Sequence, residues 1–397
     1  MNWRPGRHIP YRRLPDRRSM GVAVAGFANF LNLYTPQAIL PDIARDFGVG
    51  VVQAGLTITA PLLAVACVAP FAGTISDRLG RKKLMVGAAF LLVLPTLLVA
   101  AAPGLGAIVL WRFVQGLLLP FIFTVCVAYI GDECPGSAGI RAAGAYSVGT
   151  ILGGFSGRML AGLAAEAAGW SMGFVAVAAL SLAAAAFIAV VLPAERRFVT
   201  IPGGLHAALG TYREHLRTRR LIATCGIGFA TLFTNVAAYT YVNFYLAAPP
   251  FSLSPSQLGL VFVGYLLGVP TTSAATRLAL RIGRRRTLAV AVGLASLGLL
   301  LTLAPDVLLV IVGLAVMSGG VFVIQAMSLG FIAATTKRAK STAVGLYVTV
   351  YYIGGALGGL LPGGLWTHAG WTGVVALLVA MMVAIGVTGL RSWREPA

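Results

Sequence analysis

The chain is built from apolar runs of the length that a lipid bilayer demands. Twelve of them occupy most of its 397 residues, at about 20–41, 51–76, 84–102, 106–130, 138–163, 170–192, 221–246, 256–279, 287–304, 307–333, 341–365 and 370–390. A helix of roughly 20 residues spans the ~30 Å hydrocarbon core of a bilayer. Charged residues make up only 10% of the chain and hydrophobic ones 58%, where a soluble domain carries about 25% charged residues. So few polar side chains cannot cover a body that faces water, which excludes a soluble protein. The runs do not alternate apolar and polar positions, so they do not read as strands of a membrane barrel. The expected fold is an all-α membrane protein of twelve transmembrane helices. The 49 glycines suit helices that pack closely in lipid.

The cations set the orientation. Twelve spans place all but three of the 30 Lys and Arg residues on one side, the exceptions being Arg45, Arg112 and Arg158. Positive residues are retained on the cytoplasmic face, so both termini are expected in the cytoplasm. The net charge of +19 is then a property of topology and of attraction to anionic lipid, and no nucleic-acid partner is implied. The basic start is followed by an apolar run too long for a signal peptide and without a cleavage site. The expected organisation is a cytoplasmic tail at 1–19, a six-helix bundle at 20–192, a cytoplasmic linker at 193–220, a second bundle at 221–390 and a tail at 391–397.

The halves repeat. Gly26 and Phe27 return as Gly228 and Phe229, and Gln53 with Gly55 as Gln257 with Gly259. Gly80 and Arg81 return as Gly283 and Arg284, Gly144 and Tyr146 as Gly345 and Tyr347, and Gly169 and Trp170 as Gly370 and Trp371. The offset stays between 201 and 204 throughout. A six-helix unit repeated in this way enters the membrane twice in the same sense. This is the parallel-repeat architecture, with a site expected between the halves near the midplane.

Three stretches carry a family resemblance. The loop between runs 2 and 3 reads Gly73, Ile75, Ser76, Asp77, Arg78, Gly80, Arg81, Lys82. Run 4 holds Arg112, Gln115 and Gly116. Run 5 holds Ala145, Gly149, Thr150, Gly153 and Gly154, with Thr150 and Ala145 departing from the Pro and first Gly of an antiporter signature. Run 1 closes with Tyr34, Pro36, Gln37, Pro41 and Asp42. With these residues the whole chain resembles the major facilitator superfamily, and within it the twelve-helix bacterial multidrug and arabinose-type efflux transporters. The resemblance implies a multi-pass protein of the bacterial inner membrane, expected as a monomer, with a small-molecule substrate, the lipid bilayer and protons as partners.

It also implies roles for residues. The helices that line the family's cavity here offer Asn29, Asn32, Tyr34 and Gln37 in run 1, Arg112 and Gln115 in run 4, and Asn235, Tyr239 and Asn243 in run 7. Gln325 in run 10 and Tyr347 and Tyr351 in run 11 complete the set. Gly73, Asp77, Arg78, Gly80 and Arg81, with Asp132, Glu133 and Arg141, are expected to form a cytoplasmic latch facing the start of run 11. Its acidic element is not repeated, because Leu280 stands where the second copy should have an Asp.

A charge inside a span is costly and belongs in the bundle interior. Arg112 therefore reads as a substrate contact, a partner in proton coupling or a structural group bonded to helix carbonyls. Arg158 reads as a residue that snorkels or pairs with Glu166. No Asp or Glu occupies the middle of any run, which leaves Asp42, at the outer end of run 1, and Arg112 as the proton-coupling candidates. Walker, zinc and nucleophile-elbow motifs are absent from the sequence, and neither an enzyme nor a cofactor is expected. The function expected is export of small organic compounds, drug-like or sugar-like, by proton antiport with alternating access. The alternative is an uptake carrier or uniporter for a small organic solute or an anion held by Arg112.

Overall fold

The computed structural model describes residues 16–195, 215–335 and 340–393, and every regular element among them is helical. The extreme tails, most of the expected linker and residues 336–339 lie outside the described residues. Among the described residues, nine stretches are long and apolar enough to cross a membrane. Val51–Leu79, Arg81–Ala100, Leu105–Glu133, Ser137–Ala168 and Trp170–Val191 form spans 2 to 6, and Arg219–Ala247 forms span 7. Val307–Thr335, Thr342–Leu360 and Gly363–Ser392 form spans 10 to 12.

The three remaining runs are also helical, and local chemistry explains why they fall short of that test. Span 1 divides into a helix over Arg17–Leu33, a 3-10 turn over Thr35–Ile39 and a short helix over Leu40–Asp46. Pro36 has no N–H for the Asn32 carbonyl. The Gln37 N–H bonds to Tyr34 O at 3.1 Å and so leaves Leu33 O free as well. Span 8 divides into Pro255–Val261, a 3-10 turn over Phe262–Leu267 and Gly268–Ile282. Ser254 and Gln257 start it with a reciprocal capping box. Span 9, Arg284–Leu301, opens on three consecutive arginines.

The sequence repeat returns in the backbone. Gly80 and Gly283 end spans 2 and 8 at φ 91° and 82°. That left-handed conformation favours glycine and lets the chain re-enter a helix at once. The packing repeats as well. Span 5 lies against span 1 where Gly153 and Gly157 face the carbonyls of Phe27 and Leu31, and a Cβ at either glycine would sit 2.2 Å from the oxygen. In the second half Gly354 and Gly358 of span 11 face the carbonyls of Phe229 and Phe233 in span 7, at 2.2 and 2.4 Å. Small residues that let backbones approach closely are enriched where helices associate in lipid.

The two largest apolar clusters centre one on each half, around Ile58, Leu62, Ile122 and Tyr129 and around Tyr239, Phe262, Leu314 and Leu378. Each takes in residues of the other half, such as Tyr352 in the first and Ile151 in the second. Leu94, Leu110, Val190 and Leu308 project outward from the spans, as suits a protein solvated by lipid. The last helix runs to Ser392. Trp393 then folds back, stacked on Phe331 with ring centroids 5.0 Å apart and donating to Thr224 Oγ1 at 3.0 Å.

Candidate functional site

Between the halves lies a cavity of about 100 Å³. Phe30 and Tyr34 of span 1 and Thr150 and Ile151 of span 5 line it from the first half. Leu232 and Asn235 of span 7, Tyr265 of span 8, Val321, Phe322 and Gln325 of span 10, and Tyr351 and Tyr352 of span 11 line it from the second. Aromatic rings dominate the wall, with Tyr265 and Phe322 edge-on at 5.0 Å. The polar groups are hydroxyls and the amides of Asn235 and Gln325, and no lining residue is acidic.

Of the residues that the sequence offers for this cavity, Tyr34, Asn235, Gln325 and Tyr351 line it. The others are placed elsewhere. Asn29 is buried, with neither amide atom bonded. Tyr239 is buried with its hydroxyl 2.7 Å from Ser318 Oγ and its ring stacked on Phe262. Asn243 donates to Tyr239 O at 2.5 Å. Tyr347 is buried and stacked on Tyr351. Polarity in the sequence does not mark Phe30, Phe322 and Tyr352, although these lie within four residues of Asn29, Gln325 and Tyr351 on the same helices.

Arg112, Gln115 and Asn32 belong to a closed network inside the first half. Arg112 is fully buried. Its Nε donates to Thr57 O at 2.9 Å, its Nη1 to Asn32 O at 2.8 Å and to Gln115 Oε1 at 2.6 Å, and its Nη2 to Leu33 O. These carbonyls have lost their helical donors. Pro36 and the displaced Gln37 free Asn32 and Leu33, and Pro61 leaves Thr57 without an N–H four residues on. Gln115 continues to Thr96 Oγ1 at 2.6 Å, Thr96 to Asn32 Oδ1 at 3.0 Å and Asn32 to Ser181 Oγ at 2.8 Å. The network joins spans 1, 2, 3, 4 and 6. In this conformation Arg112 is a clasp on proline-broken helices and not part of the cavity wall.

Arg158 neither snorkels nor pairs with Glu166, as the sequence suggested it would. It is fully buried. Its Nε donates to Gln37 Oε1 and its Nη1 to Gly154 O, each at 2.7 Å. Its guanidinium carbon lies 4.5 to 5.8 Å from the ring centroids of Phe262, Tyr34, Tyr265 and Tyr239. Glu166 is instead committed to the second half, accepting from Ser254 Oγ at 2.9 Å and from Ser256 N at 3.1 Å.

These contacts form part of a closure at the end of the bundle opposite the Gly73–Lys83 loop. Thr59 Oγ1 of span 2 donates to Ala356 O of span 11 at 2.8 Å, and a Cβ at Gly55 would sit 2.5 Å from Gly359 O. On the other flank a Cβ at Gly162 of span 5 would sit 2.3 Å from Pro255 O of span 8. Gln37 Nε2 reaches Thr240 Oγ1 at 3.4 Å. Asp42 pairs with Arg45 and borders a surface cleft of about 450 Å³ shared with Asp46, Glu166 and Trp170.

The loop end carries the expected latch residues. Arg81 pairs with Asp77 at 2.6 Å and Asp132 at 3.0 Å, and it also donates to Ser76 Oγ. Glu133 is bridged by Arg18 at 3.5 Å. Arg78 is exposed, and Gly73 lies in the last turns of span 2. Arg141 does not reach Asp132 or Glu133, because it donates to Ser137 Oγ one turn back on its own helix. Glu195 adds a contact that the sequence did not signal, accepting from Lys82 N at 3.2 Å at the start of span 3. The side chains of Lys340 and Ser341, expected opposite Asp77, lie outside the described residues.

A sequence model of the Major Facilitator Superfamily matches residues 22–248 and 227–397. The chain belongs to that superfamily. It is 30% identical to the inner membrane transport protein YnfM of Escherichia coli K12 over 379 residues, covering 96% of this chain and 91% of YnfM. It is 29% identical to the MFS-type transporter YybF of Bacillus subtilis, covering 94% and 93%. The fold superposes on the nucleoside transporter NupG with a TM-score of 0.79 at 12% identity, covering 95% of this chain and 100% of that one. A bacterial homologue of the lysosomal transporter Spinster, solved inward-facing and unoccupied, superposes with a TM-score of 0.76 at 15% identity, covering 97% and 100%. This chain is thus a multi-pass membrane transporter and not an enzyme.

Proposed function

We propose that this facilitator is a secondary transporter of the bacterial inner membrane that exports small organic compounds by alternating access, in exchange for protons. The observation that carries this reading is the aromatic cavity between two repeated halves, with inter-half contacts gathered at one end. With both termini in the cytoplasm, as the cation bias indicates, the closed end is periplasmic and the conformation faces inward. The bundles at 20–192 and 221–390 then rock about the cavity. Counterflow of a labelled aromatic solute in proteoliposomes tests transport, and its absence across a broad panel of organic solutes would sink the proposal.

Proton exchange rests on the family and on Asp42, an acid in the outer part of span 1. An imposed pH gradient should drive uphill efflux in the wild type and fail to do so in Asp42→Asn, while counterflow persists. The lack of an acidic residue in the cavity wall favours a second reading, uniport or uptake. Efflux that is indifferent to the gradient would select it. The Asp77–Arg81–Asp132 cluster is proposed as the cytoplasmic latch, closing when the cavity opens outward. Asp77→Asn should increase labelling of single cysteines at the cytoplasmic mouth by a membrane-impermeant thiol reagent, and unchanged labelling would remove the switch role.

A further inference from the structure

A guanidinium carries several N–H donors and cannot shed its charge. The two buried arginines of the first half meet that demand differently. In Arg112 each nitrogen has an acceptor. In Arg158 the Nη2 has none, although the residue is fully buried. No carboxylate pairs with Arg158 among the described residues. Its recorded surroundings are one side-chain amide, one carbonyl and four ring faces. Rings attract a cation but leave its hydrogen-bond donors unsatisfied, and a buried charge without a counter-charge is retained at a cost to the fold.

The position of Arg158 gives that cost a purpose. Thr150 and Ile151 line the cavity, and Gly154 and Arg158 follow on the same face of span 5 at helical spacing. Tyr34 and Tyr265 belong both to the cavity wall and to the ring set around the guanidinium. Gly154 lets Arg158 and Tyr265 pack close to its backbone, since a Cβ there would sit 3.3 Å from Arg158 Nη1 and 3.4 Å from Tyr265 Cε1. The guanidinium therefore packs against two rings of the cavity wall, toward the closed end. We infer that Arg158 is the counter-charge for the carboxylate of a small aromatic acid bound in this cavity. This deepens the proposed function and rests on reading the cavity as the substrate site.

The chemistry of the wall selects that class. A planar guanidinium fork matches a carboxylate. Phe30, Tyr351 and Tyr352 offer faces and edges to a flat apolar body, while Asn235 and Gln325 supply neutral hydrogen bonds. The cavity volume of about 100 Å³ restricts the occupant to a small solute. A neutral analogue leaves Nη2 unpaired, and a cationic one is repelled.

Benzoate, benzamide and benzylamine share one shape and differ in charge. With the purified chain in lipid nanodiscs, titration calorimetry should give benzoate a dissociation constant at least about tenfold below that of benzamide, and no measurable benzylamine binding. Arg158→Gln should abolish the preference for benzoate, and Arg158→Lys should keep part of it. Because the wild-type comparison needs no variant, a misfolded Arg158→Gln protein leaves the test intact. Equal binding of the three probes, binding of none, or a folded Arg158→Gln protein that still prefers benzoate overturns the inference. Counterflow of neutral solutes without any preference for benzoate would also overturn it while leaving the transporter reading standing. Failure of counterflow for every solute would strike the transporter reading instead.

Discussion

At the residue scale the most informative side chain of the first half is Arg112, because it satisfies carbonyls that prolines have left bare. Leaving a buried polar group unpaired costs about 1–3 kcal/mol. Arg112→Met strips the donors from Asn32, Leu33 and Thr57 together. With three carbonyls left bare, the variant should lose at least about 3 kcal/mol, read as a fall in the melting temperature of the purified protein. Arg112→Lys should recover only part, since an ammonium cannot fork toward carbonyls on two helices. If the orphaned carbonyls are the cause, restoring backbone donors with Pro36→Ala and Pro61→Ala in the Arg112→Met background should recover stability. A triple variant no more stable than Arg112→Met alone would assign the loss to something else. Arg112, Pro36 and Pro61 were all legible in the sequence. Their association was not, because it depends on which spans pack together, and that emerges only from the fold.

At the scale of elements, the seams between spans 1 and 5 and between spans 7 and 11 are the repeated unit of cohesion. The glycines were readable as a spaced pattern, and the pattern implied close packing. Its partner was not readable, since a glycine records that something approaches without recording what. Gly153→Val forces spans 1 and 5 apart, given that even a Cβ meets Phe27 O at 2.2 Å. Overpacking of this kind costs about 1–3 kcal/mol, occasionally more. Gly87 is the control, being helical and open around its Cα. Gly87→Ala should be neutral or gain up to about 1 kcal/mol from helix propensity. Thermal denaturation of the two variants side by side checks the contrast, and equal losses would mean that the seam is not the source. The 3-10 turns illustrate a further limit. Pro36 announced the break in span 1, whereas the turn over Phe262–Leu267 has no proline within it. That turn helps bring Phe262 and Tyr265 to Arg158. The aromatic cage is therefore assembled from spans 1, 5, 7 and 8, distant in sequence, and no local signal joins them.

At the scale of the whole molecule, hydropathy, cation bias and the repeat offset specified twelve spans in two matching halves, because each is a property summed over many residues. Which end is closed is a different kind of fact. It depends on a small difference between two packings of the same helices, and here it is written in a few contacts between spans 2 and 11 and between spans 5 and 8. Those contacts must separate if the halves alternate. A Cβ built on Gly359 lies 2.7 Å from Thr59 Oγ1, so cysteines at the two positions would meet at disulfide-forming distance. In a background with Cys67, Cys126, Cys134 and Cys225 replaced, Thr59→Cys with Gly359→Cys should cross-link under mild oxidant and stop counterflow. Reducing agent should restore it, and either single cysteine should transport in both redox states. The bond would join the ends that an outward-open state must part, yet leave the cavity and the loop end unchanged. Full transport with the cross-link formed would mean that these helices never separate, and the access path would then have to lie elsewhere than between the halves.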